Sequence, residues 1–461
     1  MSAPDISGAT VPRAVPFHEA LRFWLRLGFI SFGGPAGQIA IMHRELVDGR
    51  RWVSEQRFLH ALNFCMLLPG PEAQQLATYL GWLMHGTRGG VAAGVLFVLP
   101  SLALLIGLGW VYMAFGQLPL VAGIFYGIKP AVAAIVLHAL HRIARKSLGN
   151  PLHAPVPYAL AAMSFIAIWL LHVPFPLVVL AALLAGAVLG RVAPGCLGRA
   201  GGPAASAAQA VRAPALIDDD TPTPAHARFK RSRLAAVLLA GAALWLAPMA
   251  ALSFLHGWGG ALTQMGAFFT KAALLTFGGA YAVLPYVNQM AVGHYGWLTT
   301  AQMMDGLALG ETTPGPLIIV VAFVGFVGGW REAVLGPGAP GLGGALAACV
   351  AAWFTFLPSF VFILAGGPWV ESTRGNLRLS APLAAVTAAV VGVIANLALF
   401  FIAAVAYPAR AAGGFEAQPD GLALALFALA ALALWRLRWG VIAVIAASAG
   451  AGLALRLLGL A

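Results

Sequence analysis

Residues 67–75 read LLPGPEAQQ and lie between the apolar stretches FLHALNFCM and LATYLGWLM. This stretch combines two helix-breaking prolines, a glycine, a carboxylic acid and two amides, which is unusual for an apolar segment of membrane length. Pro-Gly-Pro occurs again at 314–316, also inside an apolar stretch. Broken backbone at membrane depth is tolerated only where it faces protein or a water-filled cavity. Both stretches therefore predict interrupted helices that line an internal site.

The composition predicts an all-α polytopic membrane protein. Of the 461 residues, 61% are hydrophobic and 9% are charged, whereas soluble domains carry about 25% charged residues. Apolar stretches that approach the roughly 20 residues of a helical span recur along the chain. The net charge of +12 comes mostly from Lys and Arg between these stretches. Such charges orient a chain in the bilayer, so we expect the lipid bilayer as a partner and no role in nucleic-acid binding.

The sequence predicts no disulfide, metal site or cofactor. Cys65, Cys196 and Cys349 are far apart and form no CxxC. The sequence contains no GxxxxGK[ST] loop and no HExxH motif, which argues against ATP as the energy source and against a zinc enzyme. Residues 1–16 lack the apolar core of a signal peptide and predict a retained cytoplasmic tail. We expect a protein that is not an enzyme.

The chain contains two copies of one pattern. Five features of the first half return in the second half at a constant separation of 245 residues. They are FGG at 32–34 and 277–279, PGP at 69–71 and 314–316, Trp52 and Trp297, Phe23 and Phe268, and Arg26 and Lys271. FVLPS (97–101) returns as TFLPS (355–359) at a separation of 258, because a Gly- and Pro-rich insertion lies around 329–343.

This repetition divides the chain. The predicted parts are a cytoplasmic tail (1–16), an N-terminal transporter repeat (17–190), a cytoplasmic linker (191–233), a connecting transmembrane helix (234–256) and a C-terminal transporter repeat (262–461). The linker is rich in Ala, Gly and Pro, and its acidic triplet at 218–220 is expected to be solvated. If the first repeat crosses the membrane an even number of times, the single connecting helix inverts the second repeat. Inverted repeats are an architecture of secondary transporters.

Two arrangements compete for the start of each repeat. In one, residues 17–34 and 58–86 are ordinary spans, and the connection 43–57 then lies outside with four arginines, against the positive-inside tendency. In the other, each segment enters the membrane, turns at FGGP or PGP, and leaves on the same side. The second arrangement puts these arginines inside, together with Arg142, Arg145 and Lys146. We favour it, with the N-terminus in the cytoplasm and about 13 membrane helices or hairpins in two inverted repeats with broken, re-entrant helices.

The broken helices predict an anion site. Pro71 and Pro316 suit the first turn of a helix, whose free N–H groups and positive dipole end then point into a cavity. Further helix starts are predicted at Gly33, Gly34, Gly278 and Gly279. A cation inside a membrane is costly and often functional, which favours Arg26 and its equivalent Lys271 as anion ligands. Alternatively, Arg26 extends to the cytoplasmic surface.

Polar residues beside the Pro-Gly-Pro turns complete the predicted site. Glu72 satisfies its own helix start, or pairs with Arg26 until substrate displaces it, or carries a proton. The neighbouring amides and hydroxyls bind an oxyanion or satisfy nearby backbone. The full set of predicted substrate-binding residues is Arg26, Phe32, Gly33, Gly34, Gln38, Gly70, Pro71, Glu72, Gln74, Gln75, Lys271, Gly278, Gly279, Glu311, Thr312, Thr313, Gly315 and Pro316. Trp82, Trp110 and Trp169 are predicted as anchors at the membrane interface.

Long uninterrupted motifs resemble a known family. FGGPAGQIAIMHRELV (32–47) and RRWVSEQRFLHALNFCMLLPGPEAQQLATYLGW (50–82) are similar to the chromate ion transporter family in its long, two-domain form. The similarity continues through FGGAYAVLPYV (277–287) and DGLALGETTPGP (305–316). It places family motif positions at 32–35, Gln38, 69–72, Gln74, Gln75, 277–279 and 314–316. The halves differ, since Ala280 stands opposite Pro35 and Leu317 opposite Glu72.

The resemblance implies a secondary transporter that exports chromate across a bacterial inner membrane and confers chromate resistance. Sulfate is the structural mimic of chromate and the expected competitor. Single-domain members of this family work as pairs, so a homodimer is one assembly that the resemblance allows. The alternatives are a transporter of sulfate or a related oxyanion, a passive anion channel and, more remotely, a membrane-embedded enzyme.

Overall fold

The computed structural model describes residues 15–32, 34–116, 118–149, 155–193, 215–218, 221–222, 224–277, 279–372, 380–408 and 418–460. Most of these residues are helical, which confirms the predicted all-α fold class. In chain order the helices are α1 (Phe17–Ile30), α2 (Gly34–His43), α3 (Glu55–Leu67), α4 (Glu72–Phe115), α5 (Pro119–Ser147), α6 (Pro155–Trp169), α7 (Phe175–Val192), α8 (Arg231–His256), α9 (Ala261–Leu274), α10 (Ala280–Asn288), α11 (Thr300–Thr312), α12 (Val320–Arg331), α13 (Pro340–Ser372), α14 (Ser380–Ala406), α15 (Gly421–Trp435) and α16 (Val441–Leu457).

Several of these helices are suited to a membrane by length and composition. Within the described residues, six are long and apolar enough to cross it, namely Glu72–Phe115, Pro119–Ser147, Phe175–Val192, Arg231–His256, Pro340–Glu371 and Ala381–Ala406. Shorter apolar helices are Pro155–Trp169, Leu317–Arg331, Gly421–Trp435 and Val441–Leu457. By contrast, α3 has 13 residues, about 20 Å at 1.5 Å per residue, which is less than a hydrocarbon core of about 30 Å.

The breaks at 31–32 and 276–277 and the PGP stretches lie at the tips of helical hairpins. The rings of Phe23 and Trp52 lie 5.0 Å apart, so the chain beyond α2 returns to the first half of α1. The rings of Phe64 and Tyr79 lie 5.8 Å apart, so α3 and the start of α4 run side by side from the break at 68–71. In the second repeat, Phe268 and Trp297, which lie 5.7 Å apart, form the equivalent of the first contact. These returns confirm the broken-helix prediction.

Helix α4 reverses direction inside its 44 residues. His85 and Gly86 have non-helical backbone angles, and Gly86 has φ of 63°. Beyond this point Gly94 packs against Thr78, although a straight helix would separate them by about 24 Å. The first arm (72–84) therefore returns from the Pro-Gly-Pro tip, and the second arm (87–115) is the span. In the second repeat the same reversal takes a longer loop, 332–339, between α12 and α13, where the insertion was predicted.

The two repeats run in opposite directions. The second arm of α4 and its equivalent α13 are neighbours, with Gly94 against Phe360 and Trp110 against Gly341. The residue numbers rise along α4 while they fall along α13, so the two equivalent helices are antiparallel. If both span the membrane, the repeats are inverted, as predicted.

The repeats also exchange helices. The long α5 of the first repeat packs against α15 and α16 of the second, and α14 of the second packs against α6 and α7 of the first. Gly127 and Gly452 bring α5 and α16 close together, and Gly186 meets Ala385 at the equivalent place between α7 and α14. Small residues permit this backbone approach. Neither repeat therefore completes its own core.

Part of the predicted linker docks on the base of the first repeat. Ile217 pairs with Val53 in an isolated bridge, and its N–H donates to the Trp52 carbonyl at 3.1 Å. The Asp218 carboxylate accepts from the N–H of Ala215 at 2.9 Å, so this residue of the acidic triplet belongs to a docked segment. The other two residues of the triplet lie outside the described residues, as does the tail before residue 15.

Candidate functional site

The hairpin tips of opposite repeats meet at the centre of the helical bundle. The N–H of Gly315 donates to the Ser31 carbonyl at 2.8 Å, and the N–H of Gly70 donates to the Thr276 carbonyl at 2.7 Å. The two bonds are related by the repeat, since both donors and both acceptors are 245 residues apart. Each Pro-Gly-Pro tip is thereby fixed to the break that precedes the Gly-Gly of the other repeat.

Glycine is required at both Pro-Gly-Pro tips. Gly70 has φ of 125° and Gly315 has φ of 100°, and residues other than glycine rarely adopt such positive φ values. A Cβ on Gly70 would also collide with Ser359 Oγ, and one on Gly315 with Ser101 Oγ. These serines are the last residues of the repeated FVLPS and TFLPS motifs. The motifs therefore match because α4 and α13 each support the tip from the other repeat.

Three buried glutamines line the crossing. Gln38, Gln74 and Gln75 are each exposed by at most 1%. Gln38 donates to the Gly315 carbonyl, Gln74 to Thr78 Oγ1 at 3.0 Å, and Gln75 to the Pro69 carbonyl at 2.8 Å. The side-chain oxygen of each is buried without a hydrogen-bond partner. Buried amides normally satisfy both ends, so these oxygens mark polar space, and a rotated amide would present N–H groups to an anion.

Two carboxyl groups lie at the start of α10. Glu72 Oε1 is 3.8 Å from the position that a Cβ on Gly279 would take, and Gly279 is the residue before α10. No side chain caps α10, so the Glu72 carboxylate is well placed to interact with its positive end. Glu311 is buried and accepts a hydrogen bond from Tyr281 in the first turn of α10. Two carboxyl groups therefore lie beside the position where the start of α10 could hold an anion.

The equivalent position in the other repeat is empty of carboxylate. Leu317 replaces Glu72 there, and Ala36 replaces Tyr281. A Cβ on Gly34 would meet no atom within 4 Å, so the start of α2 faces open space. The two repeats therefore supply the same backbone and different chemistry.

The predicted cations are exposed, and two other cations, which are also exposed, act electrostatically on the carboxyl groups without forming ion pairs with them. Arg26 and Lys271 are exposed on their helices, as is the Phe32 ring at 37%. Lys146 of α5 interacts electrostatically with Glu72, and Arg142 with Glu311. Sequence analysis assigned these two residues only to orientation in the membrane. Their four-residue spacing, which puts both on one face of α5, was the available signal.

Most of the remaining predicted residues make local contacts with backbone in this arrangement. Thr312 Oγ1 donates to the Ala308 carbonyl at 3.0 Å, and Thr313 Oγ1 to the Gly310 carbonyl at 3.1 Å, so both hydroxyls satisfy the end of α11. Pro71 and Pro316 are buried as helix caps. Gly33 and Gly278 lie outside the described residues. The site predictions as a set stay predictions.

One cluster has the composition of a metal site. His43, Asp48 and Glu55 have ligand atoms within 4.8 Å of one another. His43 Nδ1 faces Asp48 at 3.2 Å and Nε2 faces Glu55 at 2.8 Å. Because the two ring nitrogens point in different directions, the cluster ties the end of α2 to the start of α3 by ion pairs and hydrogen bonds.

Comparison with known proteins agrees with this repeated architecture. A family model described as "Chromate transporter" matches residues 18–187 and again 263–453. The chain is 35% identical over 459 residues to a chromate transport protein of Pseudomonas aeruginosa, covering 98% of this chain and 95% of that protein. It is 31% identical to a chromate transport protein of Cupriavidus metallidurans, covering 85% of this chain and 84% of that protein.

A shorter relative resembles one repeat alone. The uncharacterized transporter YwrB of Bacillus subtilis is 27% identical over 133 residues, which are 29% of this chain and 68% of that protein. No solved structure shows a significant match to this chain. Two matches to one family model, antiparallel equivalent helices and relatives that align over almost the whole chain lead to one conclusion. The chain belongs to the chromate transporter family.

Proposed function

We propose that this protein is a secondary transporter that exports chromate, a tetrahedral oxyanion, across the inner membrane of a bacterium and thereby confers chromate resistance. The similarity to chromate transport proteins supports the choice of substrate. The observation that carries the proposal is the position of the Glu72 carboxyl group beside the uncapped start of α10, where the positive charge of Lys146 also acts on it. A helix start and a nearby cation together favour a small dianion.

Chromate competes with Glu72 for the start of α10 in this mechanism. Arg142 and Lys146, which the charge distribution places on the cytoplasmic side, raise the local concentration of the dianion. As chromate approaches, Glu72 moves away or takes up a proton, because two negative groups repel each other at this distance. The buried amides of Gln38 and Gln75 then offer N–H groups at the crossing.

Export is the energetically favoured direction. Moving a dianion outward across an inside-negative potential of 100 mV releases about 4–5 kcal/mol. This energy sustains a gradient above about 10³ without a coupled ion. A proton that travels on Glu72 would couple transport to pH in addition. In the same scheme the N-terminus lies in the cytoplasm, and sulfate competes with chromate at the site. The chain works either alone or as a homodimer.

Transport into everted membrane vesicles tests the proposal. Energised vesicles that contain the protein should accumulate radiolabelled chromate, and collapse of the membrane potential should lower the accumulation. Arg142→Gln and Lys146→Gln should each raise the KM for chromate by about tenfold, because a hydrogen bond or close contact to a charged group contributes about 1.5–3 kcal/mol. Arg145→Gln, on the same helix, is the matched control and should leave KM within twofold.

The possible outcomes distinguish a wrong substrate from a wrong binding site. Sulfate accumulation without chromate accumulation would move the substrate to the related oxyanion. Flux that is far faster than carrier turnover, without saturation, would indicate a channel. An equal effect of all three α5 variants would contradict the site and leave only a general surface charge. Arg26→Ala should change KM less than Arg142→Gln does, because Arg142 acts electrostatically on Glu311 and Arg26 does not act on either carboxyl group.

A further inference from the structure

An apolar groove opens between the second arm of α4, α8 and α13. It has a volume of about 660 Å³. Its lining runs along α8 from Arg233 to Leu244, about 16 Å at 1.5 Å per residue. Apart from Thr87 and Arg233 at one end, and from Cys349 and Trp353, the lining side chains are apolar. Trp353, at the other end, already donates its indole N–H to the Leu244 carbonyl at 3.1 Å.

The groove exists because α8 is packed on few sides. Only 6% of the 18 most apolar consecutive residues of this helix are buried. Gly241 packs against Val361 of α13, and Gly94 of α4 packs against Phe360. These two close contacts hold the walls together, while Ala236 and Ala240 leave space between them. A space of this kind beside an exposed membrane helix faces lipid hydrocarbon.

The polar end of the groove is strongly basic. Arg233 is half-buried there and donates through Nη1 to the His226 carbonyl. A guanidinium has five N–H donors, so further donors remain for a second acceptor. Arg228, Lys230 and Arg231 precede it and are exposed. The charge distribution places this end at the cytoplasmic surface.

We propose that the groove binds one anionic phospholipid. One acyl chain fills the apolar groove, which is long enough to hold it. The phosphate of the headgroup accepts hydrogen bonds from Arg233 at the polar end of the groove. The apolar groove and the acyl chain attract each other by van der Waals packing, and juxtamembrane basic residues select anionic headgroups. The lipid would hold α8, the helix that connects the two repeats, against α4 and α13. This site is separate from the transport site at the crossing.

Native mass spectrometry of the full chain tests the proposal. The protein is delipidated in detergent and then titrated with phosphatidylglycerol or with phosphatidylcholine of the same acyl chains. One phosphatidylglycerol per chain should be retained, at least about fivefold more tightly than phosphatidylcholine, the factor expected for one basic residue near the membrane. Arg233→Gln should abolish most of this preference. Ala240→Trp, which fills the groove, should lower the retention of both lipids.

Two matched variants separate the groove from its surroundings. Arg231→Gln removes an equal charge two residues away from Arg233, and Ala242→Trp adds the same side chain to α8 outside the lining. Both should retain phosphatidylglycerol within twofold of the parent. Equal losses in Arg231→Gln and Arg233→Gln would overturn the proposal, as would equal retention of the two lipids or a second protein chain bound in place of the lipid. If Ala240→Trp does not fold, the pair of arginine variants decides the result.

Discussion

Replacing Glu371 by glutamine is expected to remove a large part of the stability of the fold, because it breaks a buried ion pair between the repeats. Arg57 Nη1 lies 2.6 Å from Glu371 Oε2, and the two side chains are 5% and 1% exposed. The Tyr79 hydroxyl donates to the other carboxylate oxygen at 2.5 Å. Loss of one partner of a buried pair costs about 3–5 kcal/mol, since the remaining charge is left unpaired.

The surroundings of Arg57 place the expected loss at the lower end of this range. Its Nε donates to the Asp218 carbonyl at 3.3 Å and its Nη2 to the Thr221 carbonyl at 3.1 Å. These two bonds remain in the variant, and the glutamine still offers one oxygen. We therefore expect Glu371→Gln to lower the free energy of unfolding by about 3 kcal/mol.

Denaturant unfolding of the detergent-solubilised protein measures this loss, with tryptophan fluorescence as the signal and the midpoint and slope as the results. The control is the triple variant Arg57→Met, Tyr79→Phe and Glu371→Leu, which leaves no charge or hydroxyl of the cluster unpaired. Apolar replacement of a whole buried cluster is often close to neutral, so this variant should be more stable than Glu371→Gln. A loss of less than about 1 kcal/mol for Glu371→Gln, at an unchanged slope, would refute the reasoning.

Two further predictions concern glycines. Gly70→Ala and Gly315→Ala should each lower the free energy of unfolding by about 1–3 kcal/mol because of the positive φ at these positions. Adding Ser359→Ala should recover part of the loss in Gly70→Ala and none of the loss in Gly315→Ala. Equal recovery in both double variants would contradict the support of each tip by the helix of the other repeat. Gly452→Leu should displace α16 from Gly127 and lower both thermal stability and transport. A thermal melt and uptake into vesicles measure these two losses. If the variant keeps the parental stability, the two helices do not pack this closely.

The repeat allowed much of the architecture to be predicted from the sequence. The constant separation of 245 residues identified the breaks, and the arginines between 43 and 57 favoured hairpins over spans. Both inferences rest on local chemistry, namely helix breaking by Pro-Gly-Pro and the side of the membrane that Arg prefers. The pairing of each tip with the other repeat was not predictable in this way, because it depends on how two distant hairpins meet.

Side-chain environments were harder to predict than breaks. Trp110 and Trp169 are about half exposed, as expected of interfacial anchors, but the prediction for Trp82 is wrong, since this ring is 1% exposed and packs against Gly367. An apolar helix that is lipid-facing and one that is covered by α13 have the same composition, so the sequence does not distinguish them. Arg26 and Arg142 show the same difficulty: both are exposed, and only the packing of distant helices places Arg142 where it interacts electrostatically with Glu311.

The departures from symmetry explain how an inverted repeat can have one preferred anion position. The backbone crossing is equivalent in both repeats, since Gly70 and Gly315 make equivalent bonds. The polar groups are not, because Glu72 and Gln75 stand opposite Leu317 and Val320. A symmetric backbone supplies two equivalent helix starts, and asymmetric side chains give only one of them a carboxyl group, which the anion displaces in the proposed mechanism. If this asymmetry determines how chromate binds at the two helix starts, Leu317→Glu should add a second competing carboxylate at the start of α2. The KM for chromate in everted vesicles should then rise. Leu317→Met should not raise the KM, and an unchanged KM in both variants would show that the start of α2 takes no part in transport.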